Sequence, residues 1–352
     1  EDLRKGLRAA KQSVEGNAEP KDATEMLLRV NRENIYAQLL LQVDSLERAK
    51  ERCEIAKQYA AASRSERAEL AAALAEGLYE VHAGMIDIGI SRLTRALEKA
   101  RSIGAKTERE RDWIEALSTY YRDHDKTPVN VRLQRYTKAT QALTEKYPDD
   151  YEAWVFYALN LQASASKSDV QYKQQHQSTQ ILETLLHKNP EHPGVVHFLI
   201  HGYDYPPLAD KGIAAARRYG KLAPAAPHAR HMPSHIYSMV GMWEDSIASN
   251  EHSLQVRPDY YHAMDFIVYA QLQLTQDAKA QATLQRARDM AAKSKSSDLG
   301  MNTAMSAMPA RIVLERGDWK AAGAMPVTST RSPMAESLSR FTRGLGLART
   351  GD

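Results

Sequence analysis

The sequence predicts an all-α chain, a solenoid of stacked helix pairs, and three observations lead there. Pro190, Pro224 and Pro258 recur at intervals of 34 residues, the length of two short helices with their turns. Small and aromatic residues return at fixed places within those intervals: Ser234, Tyr237, Gly241, Trp243 and Ser253 in the middle unit, Ile200, Tyr203 and Tyr219 before it, and Val268, Ala280 and Ala287 after it. The composition is rich in Ala, Leu, Glu, Lys, Arg and Gln and has few strand-favouring runs. A chain of 352 residues exceeds what one compact core accommodates, but a solenoid escapes that limit because each repeat packs only on its neighbours.

From the amino terminus, residues 1 to 29 read as a charged helix, a turn around Asn17-Ala18-Glu19-Pro20, and the start of a helix after Asp22. Residues 30 to 63 read as a helix pair with Ala37, Ala49, Cys53 and Ala56 at small packing positions, which makes Cys53 a core residue. The unit from Leu70 puts Gly77, Gly89 and Ala96 at packing positions, Gly84 at the turn, and His82 at a helix end as a surface or capping residue. Arg111 to Pro148 is a unit whose first helix carries Trp113, whose long loop holds Asp123, His124 and Asp125, and whose second helix runs over YTKATQALTEKYP. That loop has the residue types of a cation site; a polar loop with an N-capping aspartate accounts for them better.

The unit from Tyr151, with Trp154 and Ala158, runs eight residues over the period, and the polar stretch Gln162 to Asp169 absorbs them. Ser164 and Lys167 within it match a short catalytic pattern only trivially. Three gapless units follow, from Pro193, Pro227 and Tyr261. A second eight-residue excess falls in Lys293 to Leu299, and the pattern resumes at Thr303 with Ala310 and Gly317-Asp318-Trp319. A linker from Pro326 to Pro333 then leads to one last first-helix, SLSRFTRGLGLARTGD, read as either a cut repeat or a terminal cap. Pro233 and Pro309 both fall inside first helices at the seventh position, so a bend or late helix start is expected between His231 and His235. It either aims His228 and His231 into a groove or eases the curvature of the stack.

The unit PHARHMPSHIYSMVGMWEDSIASNEHSLQVRP, from Pro227, resembles the tetratricopeptide repeat in its small, aromatic, turn-glycine and terminal-proline positions. The resemblance implies a right-handed superhelical solenoid of tetratricopeptide-type helix pairs. It also implies that positions 2, 5, 9 and 12 of each first helix line a concave, ligand-holding surface. Counted from Pro193, Pro227 and Tyr261, those positions hold His197, His201 and Asp204; His228, His231 and His235; and His262, Asp265 and Tyr269. Spacings of three and four set each trio on one helical face. Six of the twelve histidines would project into one concavity, with Arg311 at position 9 of the unit from Thr303. Tyr203, Tyr237, Trp243 and Trp319 read as repeat packing, and Arg217-Arg218 as a solvated pair.

Three segments, HPGVVHFLIHGYDYPPLA (192 to 209), APHARHMPSHIYSMVGMWEDSIASN (226 to 250) and HAMDFIVYAQLQL (262 to 274), resemble a group of bacterial tetratricopeptide-like proteins. With YPDDYEAWVFYALNL and the ending ARTGD, the likeness covers roughly residues 105 to 352. It implies a fold and a motif set and no particular chemistry. The chain accordingly divides into divergent helical repeats over residues 1–105 and a histidine-rich superhelix over 106–352, within one continuous solenoid.

Neutral imidazole is a good ligand for Zn, Cu, Fe or Ni, and two histidines four residues apart on a helix can hold one ion. The candidate metal ligands are His197, His201, His228, His231, His235, His262 and Asp265; Asp204, Tyr269 and Arg311 are candidates for binding a small molecule or orienting the ligands. Three readings stay open: a metal site that binds a small molecule or performs metal-assisted chemistry, a metal-free groove holding a peptide or small acid, and histidines that only pack between helices. Other classes are disfavoured. A net charge of +3 from 47 basic and 44 acidic residues gives no pull toward nucleic acid. Cys53, the one cysteine, permits no internal disulfide and no thiolate cluster. No apolar run approaches a membrane span. No phosphate loop, dinucleotide motif or zinc-protease helix motif is present, so no nucleotide cofactor is expected. A first residue Glu1 fits a removed signal peptide or a trimmed chain and leaves cytoplasm and periplasm both open.

Overall fold

Proline at a first helical position or a hydroxyl or carboxylate N-cap starts several helices of this chain, and positive-φ glycines follow others. The computed structural model describes residues 2–15, 19–42, 46–294, 299–328 and 332–351; among these lie nineteen helices and no strand. They form two compact units, Glu1–Gly202 and Tyr203–Asp352.

The first unit holds α1 (Asp2–Glu15), α2 (Ala23–Gln42), α3 (Leu46–Ser63), α4 (Glu66–His82), α5 (Ile86–Ile103), α6 (Glu108–Tyr121), α7 (Val129–Lys146), α8 (Tyr151–Ala163), α9 (Lys173–Lys188) and nearly all of α10 (Pro193–Tyr203). Side-chain oxygens of Ser65, Thr107 and Asp150 accept from backbone amides three residues on, as N-caps do. Ala37, Ala49, Cys53 and Ala56 are all buried, as their packing positions require. Asn17 and Ala18 of the expected first turn lie outside the described residues.

Gly84 turns the chain at φ 81°, a conformation L side chains rarely adopt, and Gly77 and Gly89 let α4 and α5 approach closely. His82 Nδ1 lies 2.8 Å from the Leu78 carbonyl at the end of α4. One boundary differs from expectation. α7 begins at Val129, seven residues before YTKATQ, because Pro128 presets its start and Arg132 bonds back to the Thr127 and Tyr120 carbonyls. The shortened loop lays His124 against the Ser91 and Thr94 hydroxyls of α5, at 3.4 and 3.5 Å.

The second unit holds α11 (Ala209–Leu222), α12 (Pro227–His231), α13 (Pro233–Met239), α14 (Trp243–Val256), α15 (Tyr261–Gln273), α16 (Asp277–Lys293), α17 (Leu299–Glu315), α18 (Trp319–Ala324) and α19 (Pro333–Thr350). Its core gathers Met264, Ile267, Val268 and Leu272 of α15 against Leu284 of α16 and Met308 of α17. The two prolines at equivalent positions behave differently. Pro309 is absorbed within a continuous α17, whereas at Pro233 the ladder breaks and the His235 amide bonds to Met232 O, three residues back. α17 starts at Leu299, ahead of the expected Thr303. Residues 295–298 and 329–331, within the two expected linkers, lie outside the described residues. The last helix starts early too, at Pro333, where Ser332 caps it. Gly346 and Gly323 bring α19 and α18 into backbone contact, where a Cβ on Gly346 would overlap the Gly323 amide.

Candidate metal centre

The tightened turn at Pro233 sets the geometry of the second unit's histidines. His231, at the end of α12, is wholly buried; His235, on α13, is about one-fifth exposed. Their Nε2 atoms face each other at 3.0 Å. α15 packs alongside, with His262 and Phe266 closing over His231 at ring separations of 4.5 and 4.9 Å. One nitrogen from each of His231, His235 and His262 lies within 4.8 Å of the other two.

The outer nitrogens fix the tautomers. His231 Nδ1 is 2.6 Å from Asn250 Oδ1, and the Asn250 amide nitrogen donates to the Ser246 carbonyl, so the Asn250 oxygen accepts from His231. His235 Nδ1 donates to Asp204 Oδ2 at 2.8 Å. With both Nδ1 atoms protonated, two neutral rings would turn Nε2 lone pairs on each other. A cation between them would relieve that repulsion.

Burial, then the charges of His262 and His235, hold the His231 imidazole well below the usual histidine range. His262 is lowered as well, by burial first and then by His235. Both favour neutral imidazole, the form that ligates metals. The second oxygen of Asp204, Oδ1, is buried and without a hydrogen-bond partner among the described residues.

Other candidates fall elsewhere. Asp265 accepts two hydrogen bonds from Arg311, at 2.7 and 3.1 Å, and the guanidinium lies over the Tyr269 ring, 4.9 Å from its centre. Arg311 and Tyr269 line a cavity of about 260 Å³ whose other walls include Asp204, His235, Ser238 and Phe266. His228 is exposed, with Nδ1 3.2 Å from the Tyr260 hydroxyl. In the first unit, His197 and His201 pair through their Nε2 atoms at 3.1 Å. Sequence reasoning missed Asn250, Ser238 and Phe266. Only Asn250 left a signal, as a polar residue on the second helix at the unit position that Cys53 fills earlier in the chain.

The helical architecture of this chain is matched among solved structures. A STAND-type signal-transduction ATPase with a tetratricopeptide repeat sensor from Pyrococcus horikoshii superposes over 99% of this chain at TM-score 0.50 and 14% identity. The chain has the tetratricopeptide-type fold. It spans 54% of that ATPase's length. A tetratricopeptide repeat protein from Parabacteroides merdae matches 78% of this chain and 99% of its own, at TM-score 0.49 and 11% identity. MamA matches 53% of this chain at TM-score 0.41 and 14% identity, over 97% of its own length. No family model matches this tetratricopeptide-type chain, and no curated protein matches it. Among the described residues no helix is long and apolar enough to cross a membrane.

Proposed function

We propose that the second unit binds a transition-metal ion through His231, His235 and His262 and presents it to a small acidic ligand. The observation that carries this reading is the facing pair of Nε2 atoms with both Nδ1–H groups held by Asn250 and Asp204. A ligating histidine typically donates its outer N–H to a carboxylate or carbonyl. Two nitrogens on one zinc ion, each about 2.05 Å away at a near-tetrahedral angle, stand about 3.3 Å apart, near the 3.0 Å separation here. His262, whose nitrogen lies within 4.8 Å of the other two, would move inward to complete the set. Three imidazoles leave a fourth position for water or a ligand oxygen, the arrangement of zinc sites that polarise a carbonyl or activate water. Phe266 and Tyr269 offer apolar walls beside His235, and Arg311 a cation for a carboxylate. His197 and His201 supply a second, two-nitrogen pair of the same kind in the first unit.

Elemental analysis of protein made without a histidine tag tests this, comparing wild type with His235→Ala/His262→Ala at equal helicity. Near one equivalent of Zn, Cu, Fe or Ni is expected in wild type and loss in the variant. A wild type that holds no metal and takes none up when offered would sink the proposal.

A second reading follows from the tetratricopeptide-type fold together with Arg311, which is more than one-third exposed beside Tyr269. The unit then holds a partner peptide without metal, its carboxylates pairing with Arg311. Binding that survives a chelator favours this reading; binding abolished by chelation and restored by one metal favours the first.

A further inference from the structure

A cavity of about 420 Å³ in the second unit lies away from the histidine triad, among α11, α12, α13 and α14. Arg217 and Lys221 stand one turn apart on α11, and Arg230 reaches in from α12. Among the described residues none of the three has an ion pair, whereas Arg257, Arg311 and Arg316 of the same unit each hold an aspartate. Arg230 is nevertheless positioned: its Nε donates to the Pro224 carbonyl, and its own carbonyl accepts from Ser249 at 2.5 Å. The remaining guanidinium nitrogens are left for a ligand. The floor is apolar, with Ala216, Gly220, Pro224, Pro233 and the buried Tyr237 ring.

One carboxylate, Asp245, also faces the cavity, and its charge raises the Tyr237 hydroxyl after burial has done so first. Three cations against one carboxylate leave two net positive charges, before any contribution from His252 at the wall. A single carboxylate would neutralise half of that; a phosphate monoester, close to a dianion at neutral pH, neutralises it and offers oxygens to both the forked arginines and the point-charge lysine. We infer that this cavity binds a small organic phosphate monoester, its phosphoryl group among Arg217, Lys221 and Arg230 and its apolar body on Pro224, Pro233 and Tyr237.

Calorimetric titration of the full chain with phenyl phosphate, benzoate, inorganic phosphate and a phosphoserine peptide, at low salt and pH 7.5, tests this. Phenyl phosphate is expected to bind at least tenfold tighter than benzoate or inorganic phosphate. Arg217→Gln and Arg230→Gln should each weaken it about tenfold, and Asp245→Asn should tighten it. His235→Ala should leave it unchanged, which separates this cavity from phosphate ligating a metal. Phenyl phosphate binding no tighter than benzoate, or insensitive to both arginine variants while each remains folded, would overturn the inference. Loss of binding in His235→Ala would move the phosphate to the histidine triad. A phosphoserine peptide binding far tighter than phenyl phosphate would replace the small ligand with a phosphorylated protein.

Discussion

His231 and His235 meet through their Nε2 atoms at 3.0 Å while Asn250 and Asp204 hold the opposite face of each ring. Rotation of either ring would break an outer hydrogen bond, so the two inner nitrogens are aimed before any ligand arrives. Preorganisation of this kind lowers the cost of binding, because little side-chain freedom remains to be lost.

Asn250 is the means of testing that arrangement. Asn250→Ala takes the 2.6 Å acceptor from a wholly buried His231 N–H, leaving only the Ser234 hydroxyl at 3.4 Å, and should cost about 1–3 kcal/mol, read from urea midpoints. If the triad holds metal, the same change should weaken uptake by about 10–100-fold. Asn250→Asp keeps an acceptor and should retain metal better than the alanine variant. Equal metal affinity in all three proteins would remove Asn250 from any orienting role.

Acid should destabilise the chelator-treated protein through two histidines. The folded pKa values of His231 and His262 lie below the ordinary 6.5, so below about that pH the unfolded chain binds more protons and stability falls as pH drops. The contribution is complete above about pH 7.5, and its slope reaches at most about 1.4 kcal/mol per pH unit for each histidine. Urea midpoints measured from pH 8 to 5 should decline below 6.5, and His262→Gln should flatten the decline. A wild-type midpoint constant across that range would show that neither ring is held neutral.

Cys53 should be inert while the chain is folded. Burial, reinforced by Glu76 and Glu54, pushes its thiol up to about 12, and the residue is 2% exposed. Iodoacetamide at pH 8 should leave native protein unlabelled over hours and alkylate it fully in concentrated urea. Rapid native labelling would mean that α3 opens readily.

Two glycines should respond oppositely to alanine. A Cβ on Gly89 would sit 2.8 Å from the Gly77 carbonyl and 2.7 Å from a Val81 methyl, so Gly89→Ala should force α4 and α5 apart at a cost of about 1–3 kcal/mol. Gly344 is exposed within α19 with nothing within 4 Å of an added Cβ, and Gly344→Ala should stabilise by up to about 1 kcal/mol. Thermal melts of the two variants check both signs together.

The helix pairs were legible from the 34-residue spacing of Pro190, Pro224 and Pro258, and the burial of Ala37, Ala49, Cys53 and Ala56 from their places in the repeat. Period and side-chain size act locally, so a linear string carries them. The same periodicity put His231 and His235 on one face of the helix beginning at Pro227 and His262 on its neighbour. It did not separate Pro233, which breaks a helix, from Pro309, which does not, because the surrounding packing sets whether the lost hydrogen bond is tolerated. Nor did it foretell that Asp265 would face Arg311, 46 residues on, or that Asp204 and Asn250 would each take a histidine Nδ1. Those pairings depend on how each helix is rotated and shifted against the next. Many side chains set that rotation jointly, and it exists only once the helices have packed.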